Sequence, residues 1–242
     1  MAKLNILLIF FMSGHSKWAK IKRQKGTADA KRSDIFTKHA KNIAIAAKNG
    51  KDPEMNPSLK TAINSARTVN MPKANIEKAI LRGAGEMPGQ ELIEATYEGY
   101  GSNGVALFIE TITDNKNRTT SFIKSVLNKF GGSLGGPNST AYMFNKKGVI
   151  RIESADEDFQ LKAIDAGADD VVEEEGGLTI YTSPQDLDKV KTALGKVDFA
   201  DIDMIPETKA DLNDKAKETV SKMIDELEEN EDINNVYTNA DL

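Results

Sequence analysis

Residues 148–205 read GVIRIESADEDFQLKAIDAGADDVVEEEGGLTIYTSPQDLDKVKTALGKVDFADIDMI. Short apolar runs alternate here with segments of helical periodicity, in the order strand, helix, strand, strand, helix, strand. The predicted strands cover 149–152, 170–173, 178–182 and 199–205, and the predicted helices cover 156–166 and 184–194. Glu175-Gly176-Gly177 forms the hairpin between the middle strands, and Ser183-Pro184 caps the second helix. This βαββαβ order is that of ferredoxin-like folds.

The segments that flank this stretch carry strands and helices without partners of their own. Upstream, the pattern predicts strands at 93–97 and 105–113, a helix at 118–130 and a strand at 140–145, followed by a turn at Lys146-Lys147-Gly148. Downstream, it predicts a helix capped by Asn213 and a last strand at 233–237. We expect these elements to form one sheet. Residues 148–205 would then be inserted in a discontinuous α/β domain made of 85–147 and 206–242.

Residues 13–84 contain residues that typically begin and end helices. The pattern predicts a short helix at 17–25, a longer one at 28–48, a third that begins at Asn56-Pro57 and a fourth from Pro72 to Gly83. The apolar face of the longer helix consists of Phe36, Ala40, Ile43, Ala44 and Ala47, and its opposite side carries Lys31, Lys38, Lys41 and Lys48. The sequence therefore predicts an α+β protein, with a basic helical bundle followed by two α/β domains, one nested in the other.

Charge is segregated along the chain. Residues 13–84 contain 16 lysines and arginines against 5 aspartates and glutamates, whereas residues 85–242 contain 15 against 32. The formal net charge of −5 hides this contrast. A block as basic as the first binds polyanions by neutralising phosphates and releasing counterions, and nucleic acid is the commonest such partner. The alternative is a solvated basic face that docks on the protein's own acidic part.

The densest basic segment is GHSKWAKIKRQK at 14–25, which includes the chain's only tryptophan. Its lysines and arginine can contact phosphates, and the indole ring can stack on a base or sugar. A tryptophan in a small helical domain is more often a core residue, so the interpretation depends on the lysines. The candidate nucleic-acid contacts are Lys17, Trp18, Lys20, Lys22, Arg23, Lys25, Lys31, Arg32, Lys38 and Lys41.

The sequence offers little for catalysis. It has no cysteine, which excludes disulfides, thiolate catalysis and cysteine-ligated metal sites. The two histidines, His15 and His39, lie on separate segments, and no glycine loop of the Walker or dinucleotide type is present. Acidic runs such as 225–232 lack the spacing of a calcium loop and are interpreted as solvated faces. We therefore expect no enzymatic activity, no metal, no cofactor and no small-molecule substrate.

One polar loop is a further candidate for function. Asp114, Asn115, Lys116, Asn117 and Arg118 join a predicted strand to the start of a predicted helix. Their side chains can form many hydrogen bonds, which makes this a possible functional loop. The alternative interpretation is a loop that only caps the helix.

The first twelve residues differ from all that follows. The apolar run ILLIFFM at 6–12 comes after a single lysine, Lys3, and is far too short to span a bilayer. We interpret 1–12 as a disordered extension or the product of an upstream start. A signal or targeting segment is the alternative, although no clear cleavage site follows.

Several collinear motifs resemble those of one protein family. They are MSGHSKW at 12–18, DAKR at 29–32, IFTK at 35–38, NMPKANIEKAI at 70–80, YEGYG at 97–101, TDNKNRT at 113–119 and NVYTNAD at 235–241. Together they resemble the YebC/PmpR family from residue 12 to the C-terminus. Members of that family normally begin at the residue that matches Met12, which favours the upstream-start interpretation.

The resemblance implies three domains around a central cleft and a cytoplasmic regulator of gene expression that does not enter the membrane. Family members are usually described as DNA-binding transcriptional regulators. Relatives that include a mitochondrial translational activator instead resemble ribosome-associated factors, which bind ribosomal RNA and assist the translation of proline-rich stretches. No helix-turn-helix, zinc module or RNA-binding aromatic pair in the sequence decides between DNA and RNA. A third possibility is an adaptor whose acidic domains bind protein.

Overall fold

A computed structural model describes residues 29–153, 157–174 and 177–242. The predicted extension 1–12 and the predicted helix 17–25 lie outside these residues. Within them the fold is α+β, with a helical bundle followed by two four-stranded antiparallel sheets. The bundle helices are α1 (Asp29–Ala47), α2 (Pro57–Thr68) and α3 (Lys73–Gly83).

Each sheet has two helices against it. The first sheet contains β1 (Ile93–Tyr100), β2 (Ala106–Thr113), β3 (Ser133–Leu134) and β8 (Ile233–Thr238), with helices α4 (Lys116–Lys129) and α7 (Asp214–Glu228). The second sheet contains β4 (Phe144–Ile152), β5 (Asp170–Glu174), β6 (Gly177–Thr182) and β7 (Phe199–Pro206), with helices α5 (Glu157–Ala166) and α6 (Leu187–Leu194).

The bundle is closed by a cap and by a close helix contact. The Asn56 carboxamide accepts a hydrogen bond from the Leu59 N–H at 3.1 Å and donates to the carbonyl of Ala46 at 2.8 Å, so it caps α2 and holds the end of α1. A Cβ added to Gly83 would lie 2.1 Å from the Ala44 carbonyl oxygen. Glycine at this position therefore lets α3 pack directly on the backbone of α1. The buried core is formed by Ile43, Ala47, Leu59, Ile63, Ala66, Met71, Ile76 and Ala79.

The first sheet has the strand order β3-β1-β2-β8. The two long strands β1 and β2 pair antiparallel from Ile93↔Thr113 to Tyr100↔Ala106, and the C-terminal strand β8 lies beside β2. Helices α4 and α7 bury one face of this sheet in the largest core of the described residues. Asn213 caps α7 by accepting a hydrogen bond from the Ala216 N–H at 2.9 Å, as predicted.

The second sheet has the order β5-β6-β4-β7, which is the order of a ferredoxin-like βαββαβ unit. Its core places Ile150 and Ile180 from the sheet against Ala163 of α5 and Val190 of α6, and all four side chains are fully buried. The hairpin pair Glu174↔Gly177 joins β5 to β6.

The predicted turn at Lys146-Lys147-Gly148 is wrong, because β4 runs through it without a break. It pairs with β7 from Phe144↔Pro206 to Arg151↔Phe199. A Cβ on Gly148 would lie 2.3 Å from the Thr182 hydroxyl oxygen, so this glycine marks a close approach between strands instead of a bend. The strand predicted at 140–145 begins only at Phe144, after a 3₁₀ turn at Ala141–Met143.

Two smaller expectations also need correction. Helix α6 begins at Leu187 and not at Pro184, because Ser183 and Asp186 close a turn before it: the Asp186 N–H donates to the Ser183 hydroxyl at 3.2 Å, which donates to the Asp186 carboxylate at 2.7 Å. The short strand β3 follows α4 after Gly131, whose φ of 75° ends the helix, and was not predicted.

The two sheets meet through aromatic side chains at the start of β4. Phe108 of the first sheet lies 6.3 Å, between ring centroids, from both Phe144 and Tyr237. The Glu207 N–H donates to the Met143 carbonyl at 2.9 Å, which closes the end of the β4–β7 ribbon. The strand β4 therefore begins on the core of one sheet and ends in the core of the other.

Candidate nucleic-acid interface

Helix α1 places only part of its predicted basic face toward solvent. Arg32 is exposed, Lys38 is half-buried and Lys41 is buried. The expectation that Lys41 lies on the exterior is wrong, because the side of α1 opposite the bundle core packs against the turn between α7 and β8. The side chain of Lys31 and the predicted contacts in 17–25 lie outside the described residues, so their role stays a prediction.

The contacts of α1 with the α7–β8 turn are polar and specific. The Lys41 ammonium donates to the Asp232 carboxylate at 2.7 Å and to the Glu231 carbonyl at 3.0 Å. Lys38 donates to the Glu228 carbonyl, in the last turn of α7, where the free carbonyls of a helix favour a cation. Asn42 donates to the Asn234 carboxamide oxygen at 2.7 Å. These lysines hold the bundle on the acidic part of the same chain, as the alternative interpretation of the charge pattern proposed.

Asp232 also binds the start of α4. Its second carboxylate oxygen accepts hydrogen bonds from the Arg118 guanidinium at 2.7 and 3.2 Å and from the Thr119 hydroxyl at 3.0 Å. We call Lys41, Arg118, Thr119 and Asp232 the Asp232 cluster. One carboxylate, with only 2% of its side chain exposed, thus joins α1, α4 and the α7–β8 turn.

The electrostatics of the cluster favour its ionised form. Burial of Asp232 opposes ionisation, but the hydrogen bonds from Lys41 and Arg118 and the charge of Lys41 outweigh burial and lower the pKa of this carboxyl. The hydrogen bonds and charge of Asp232 in turn raise the pKa of Arg118. Lys41, Arg118 and Thr119 occupy the hydrogen-bond acceptor sites of the Asp232 carboxylate. Such a carboxylate is suited to holding α1, α4 and the α7–β8 turn together and not to proton transfer.

The polar loop before α4 has a structural part and an exposed part. Asn115 accepts a hydrogen bond from the Arg118 N–H at 3.1 Å and caps α4, and Arg118 also pairs with Asp114 at 3.0 Å. Lys116 and Asn117 are exposed. Three of the five candidate residues therefore contribute to local structure, and a further role for the loop stays a prediction.

Sequence reasoning missed two buried carboxylates. It interpreted the run that ends at Asp232 as solvated, and it gave no role to Glu98. Glu98 accepts hydrogen bonds from the backbone N–H groups of Asn138, Thr140 and Ala141 at 2.7 to 2.8 Å. Burial opposes its ionisation, yet these backbone bonds outweigh burial and lower its pKa. The signal for Glu98 was its place in the YEGYG motif at 97–101.

Beyond α1, the bundle carries other exposed cations. They are Lys60, Arg67, Lys73, Lys78 and Arg82 on α2 and α3. Over the described ranges, no group of three or more histidine, cysteine, aspartate or glutamate side chains is placed to hold a metal ion. No helix in that part of the chain combines the length and the apolar character that crossing a membrane requires.

Known proteins of similar sequence cover the whole of this architecture. The TACO1/YebC protein N-terminal domain matches residues 16–86, and the TACO1/YebC second and third domain matches residues 92–240. A protein of Trichlorobacter lovleyi is 48% identical over 238 residues, covering 96% of both chains, and one of Treponema denticola is 46% identical over 239 residues, covering 96% of this chain and 97% of its own. Both are named probable transcriptional regulatory proteins.

A solved structure has the same fold. The crystal structure of a conserved hypothetical protein from Aquifex aeolicus superposes with a TM-score of 0.83 at 40% sequence identity, and covers 93% of this chain and 96% of that one. Fold, motifs and similarity along the full length agree, and the chain belongs to the TACO1/YebC family.

Proposed function

We propose that this protein is a non-enzymatic regulator of gene expression that binds nucleic acid through its basic bundle, and that it acts as a DNA-binding transcriptional regulator in the cytoplasm. The observation that carries the proposal is the segregation of charge, with 16 basic against 5 acidic residues in 13–84 and 15 against 32 in 85–242. Relatives of nearly half-identical sequence are named probable transcriptional regulatory proteins, which supports the same role.

The surface that we assign to phosphate binding excludes the Asp232 cluster. Lys41 would have to leave a buried carboxylate to reach a phosphate, and Lys38 is bonded to the end of α7. The exposed cations Lys73 and Lys78 of α3 need no such rearrangement. We assign the proposed polyanion surface to these cations, and the contacts in 17–25 stay a prediction from the sequence. The acidic remainder repels phosphates and limits indiscriminate binding.

One observation favours a second candidate, a ribosome-associated translation factor that binds ribosomal RNA. Sequence-specific DNA readers usually place a helix in the major groove, where its side chains reach base edges. The part of the basic face of α1 around Lys38, Lys41 and Asn42 packs against the α7–β8 turn and is not free to enter a groove. A bundle that contacts only phosphates positions a protein without reading sequence, which suits docking on a structured RNA.

The two candidates differ in a measurable ratio. A transcriptional regulator should bind its promoter about 10³-fold or more tightly than random DNA at physiological salt. A translation factor should give a ratio near unity and should sediment with ribosomes at graded salt. A promoter gel shift with competitor RNA, beside ribosome sedimentation, measures both, and failure of the full chain to bind either DNA or ribosomes would refute the proposal.

The exposed half of the polar loop gives a functional test that spares the fold. Lys116→Ala with Asn117→Ala removes two exposed side chains, whereas Arg118→Ala breaks the Asp232 cluster. If the loop acts at a functional centre, the double variant should lose activity in translation or reporter assays while keeping its melting temperature and nucleic-acid affinity. Activity equal to that of the wild type would leave the loop with its capping role alone.

A further inference from the structure

The outer face of α5 carries two large apolar side chains in contact with solvent. Leu161 is 63% exposed and Ile164 is 58% exposed, and they lie one turn apart. The opposite face of α5 is buried in the core through Ala163. Among the described residues the other exposed large apolar side chains, Met55, Leu81 and Tyr142, lie on separate elements. Leu161 and Ile164 therefore form a patch, whereas the others are single.

Such a patch is unusual on a helix that covers a sheet. The outward face of an amphipathic helix is normally polar, and isolated apolar residues on a surface need no explanation. Neighbouring exposed apolar side chains rimmed by polar residues instead mark sites of protein contact. Covering both side chains would remove apolar surface from water, which is the main driving force of protein association.

The rim of the patch contains two cations, Lys162 on α5 and Lys189, whose ammonium nitrogen lies 3.3 Å from the position of a Cβ on Gly167, but acidic residues outnumber them. Asp165 lies next to Ile164 on α5, and Asp169, which pairs with Lys147 at 3.8 Å, comes just before β5; both are exposed. Val171 of β5 packs into the core beneath α5, so the exposed Glu173, two residues along the strand, is on the same side of the sheet. Residues 148–205 as a whole contain 15 acidic against 5 basic residues.

We propose that this acidic docking surface, formed by Leu161, Ile164, Asp165, Asp169 and Glu173, binds a basic amphipathic helix of a partner protein. The partner supplies apolar side chains to Leu161 and Ile164 and lysine or arginine to the acidic rim. Phosphates would be repelled here, so the surface is separate from the polyanion surface of the bundle. Acidic residues along the edge strand β5 oppose the addition of another strand, which directs the partner onto α5.

The test uses the full chain and a synthetic probe. The probe is a labelled Leu/Lys peptide of about 14 residues with leucine at helical i, i+3, i+4 spacing, and the control is a scrambled peptide of identical composition. Fluorescence anisotropy should show that the wild type binds the amphipathic peptide about tenfold more tightly than the scrambled one. Leu161→Ser with Ile164→Ser should abolish that preference, while Met55→Ser, which removes an even more exposed apolar side chain from the bundle, should leave it unchanged.

Three results would overturn the proposal. Equal binding of the two peptides would show attraction by charge alone. A preference that survives Leu161→Ser and Ile164→Ser would place the contact elsewhere. Sedimentation that shows a concentration-dependent dimer, lost in the double variant, would make a second copy of the chain the occupant. Both side chains are exposed, so the double variant should fold, and circular dichroism verifies this. The outcome does not depend on nucleic-acid binding by the bundle.

Discussion

Lys41 of the bundle and Asp232 after α7 form an ion pair of 2.7 Å that leaves 10% and 2% of the two side chains exposed. Part of the positive charge of the bundle is therefore used inside the molecule. It fixes the orientation of α1 against the first sheet, together with the apolar contact of Ala44 with Leu92 and Ile112. The cations available to an external polyanion lie on other faces of the bundle.

The Asp232 cluster should be a major source of stability. Asp232→Ala leaves Lys41 buried without its carboxylate partner, and loss of one member of a buried pair costs about 3–5 kcal/mol. Urea denaturation followed by circular dichroism measures the change. Glu54→Ala is the matched control, because its pair with Lys60 is exposed and should contribute less than about 1 kcal/mol. Equal effects of the two substitutions would contradict this assignment.

The same cluster predicts a dependence of stability on pH. The pKa of Asp232 is lowered from its ordinary value of 3.8 in the folded protein. Its contribution is therefore complete above the pKa of the unfolded chain and is lost as the pH falls through the folded-state pKa. The difference in unfolding free energy between wild type and Asp232→Asn should be constant from about pH 8 to about pH 5 and should shrink below about pH 4. A difference that stays constant down to pH 3 would be inconsistent with this cause.

Gly83 should tolerate no side chain. Gly83→Ala places a Cβ against the Ala44 carbonyl, so α3 must move away from α1, at a cost of about 1–3 kcal/mol. Gly136→Ala is the control, because a Cβ at that position meets no atom within 4 Å and should change stability by less than about 1 kcal/mol. Thermal melting of the two variants is the measurement, and equal melting temperatures would disprove the close helix contact.

Glu98 should order the loop that precedes β4. Glu98→Gln replaces an ionised acceptor of three backbone N–H groups with a neutral one, at a cost of about 1–3 kcal/mol. We expect faster hydrogen exchange at the amides of Asn138, Thr140 and Ala141, and unchanged exchange in the bundle. Glu94→Gln, on the same strand but exposed, should have no such effect.

The polyanion surface predicts how binding responds to salt. Lys73→Glu with Lys78→Glu should make the slope of log K against log salt shallower by about one unit per lost contact on duplex DNA. Lys189→Glu with Lys191→Glu makes the same change of charge within the acidic residues 148–205 and should have little effect on the slope. If both double variants reduce the slope alike, binding follows net charge and not a surface on the bundle.

Local signals predicted the elements well, because each depends on neighbours in sequence. Asn56 and Asn213 cap their helices as predicted, and the two hydrophobic periods separate helices from strands. The turn at Lys146-Lys147-Gly148 was wrong because a glycine after two polar residues resembles a bend unless the strand packed against it is known. Only the contact of Gly148 with Thr182, distant in sequence, gives the reason for this glycine.

The site was harder to predict, because a sequence does not show whether a charged side chain faces solvent or another part of the same chain. Lys41 has the spacing of a solvent-facing lysine relative to the bundle core, and it is buried because a second surface covers that side of α1. Asp232 belongs to an acidic run whose other acidic members are exposed or half-buried, so composition alone could not single it out. The notion that the basic face docks on the acidic part was present in the charge pattern, but its partners required the fold.

The continuous strand β4 makes a stiff connection between the first sheet and the acidic residues 148–205. From Phe144 to Lys147 it pairs with β7 alone among the described strands, and this ribbon of about 13 Å at ~3.3 Å per residue is packed at its base on Phe108. Hydrogen-bonded strands, unlike a flexible linker, set both reach and angle. The molecule therefore holds whatever binds α5 and whatever binds the bundle at one fixed separation. That separation sets the effective concentration of each bound partner at the other site.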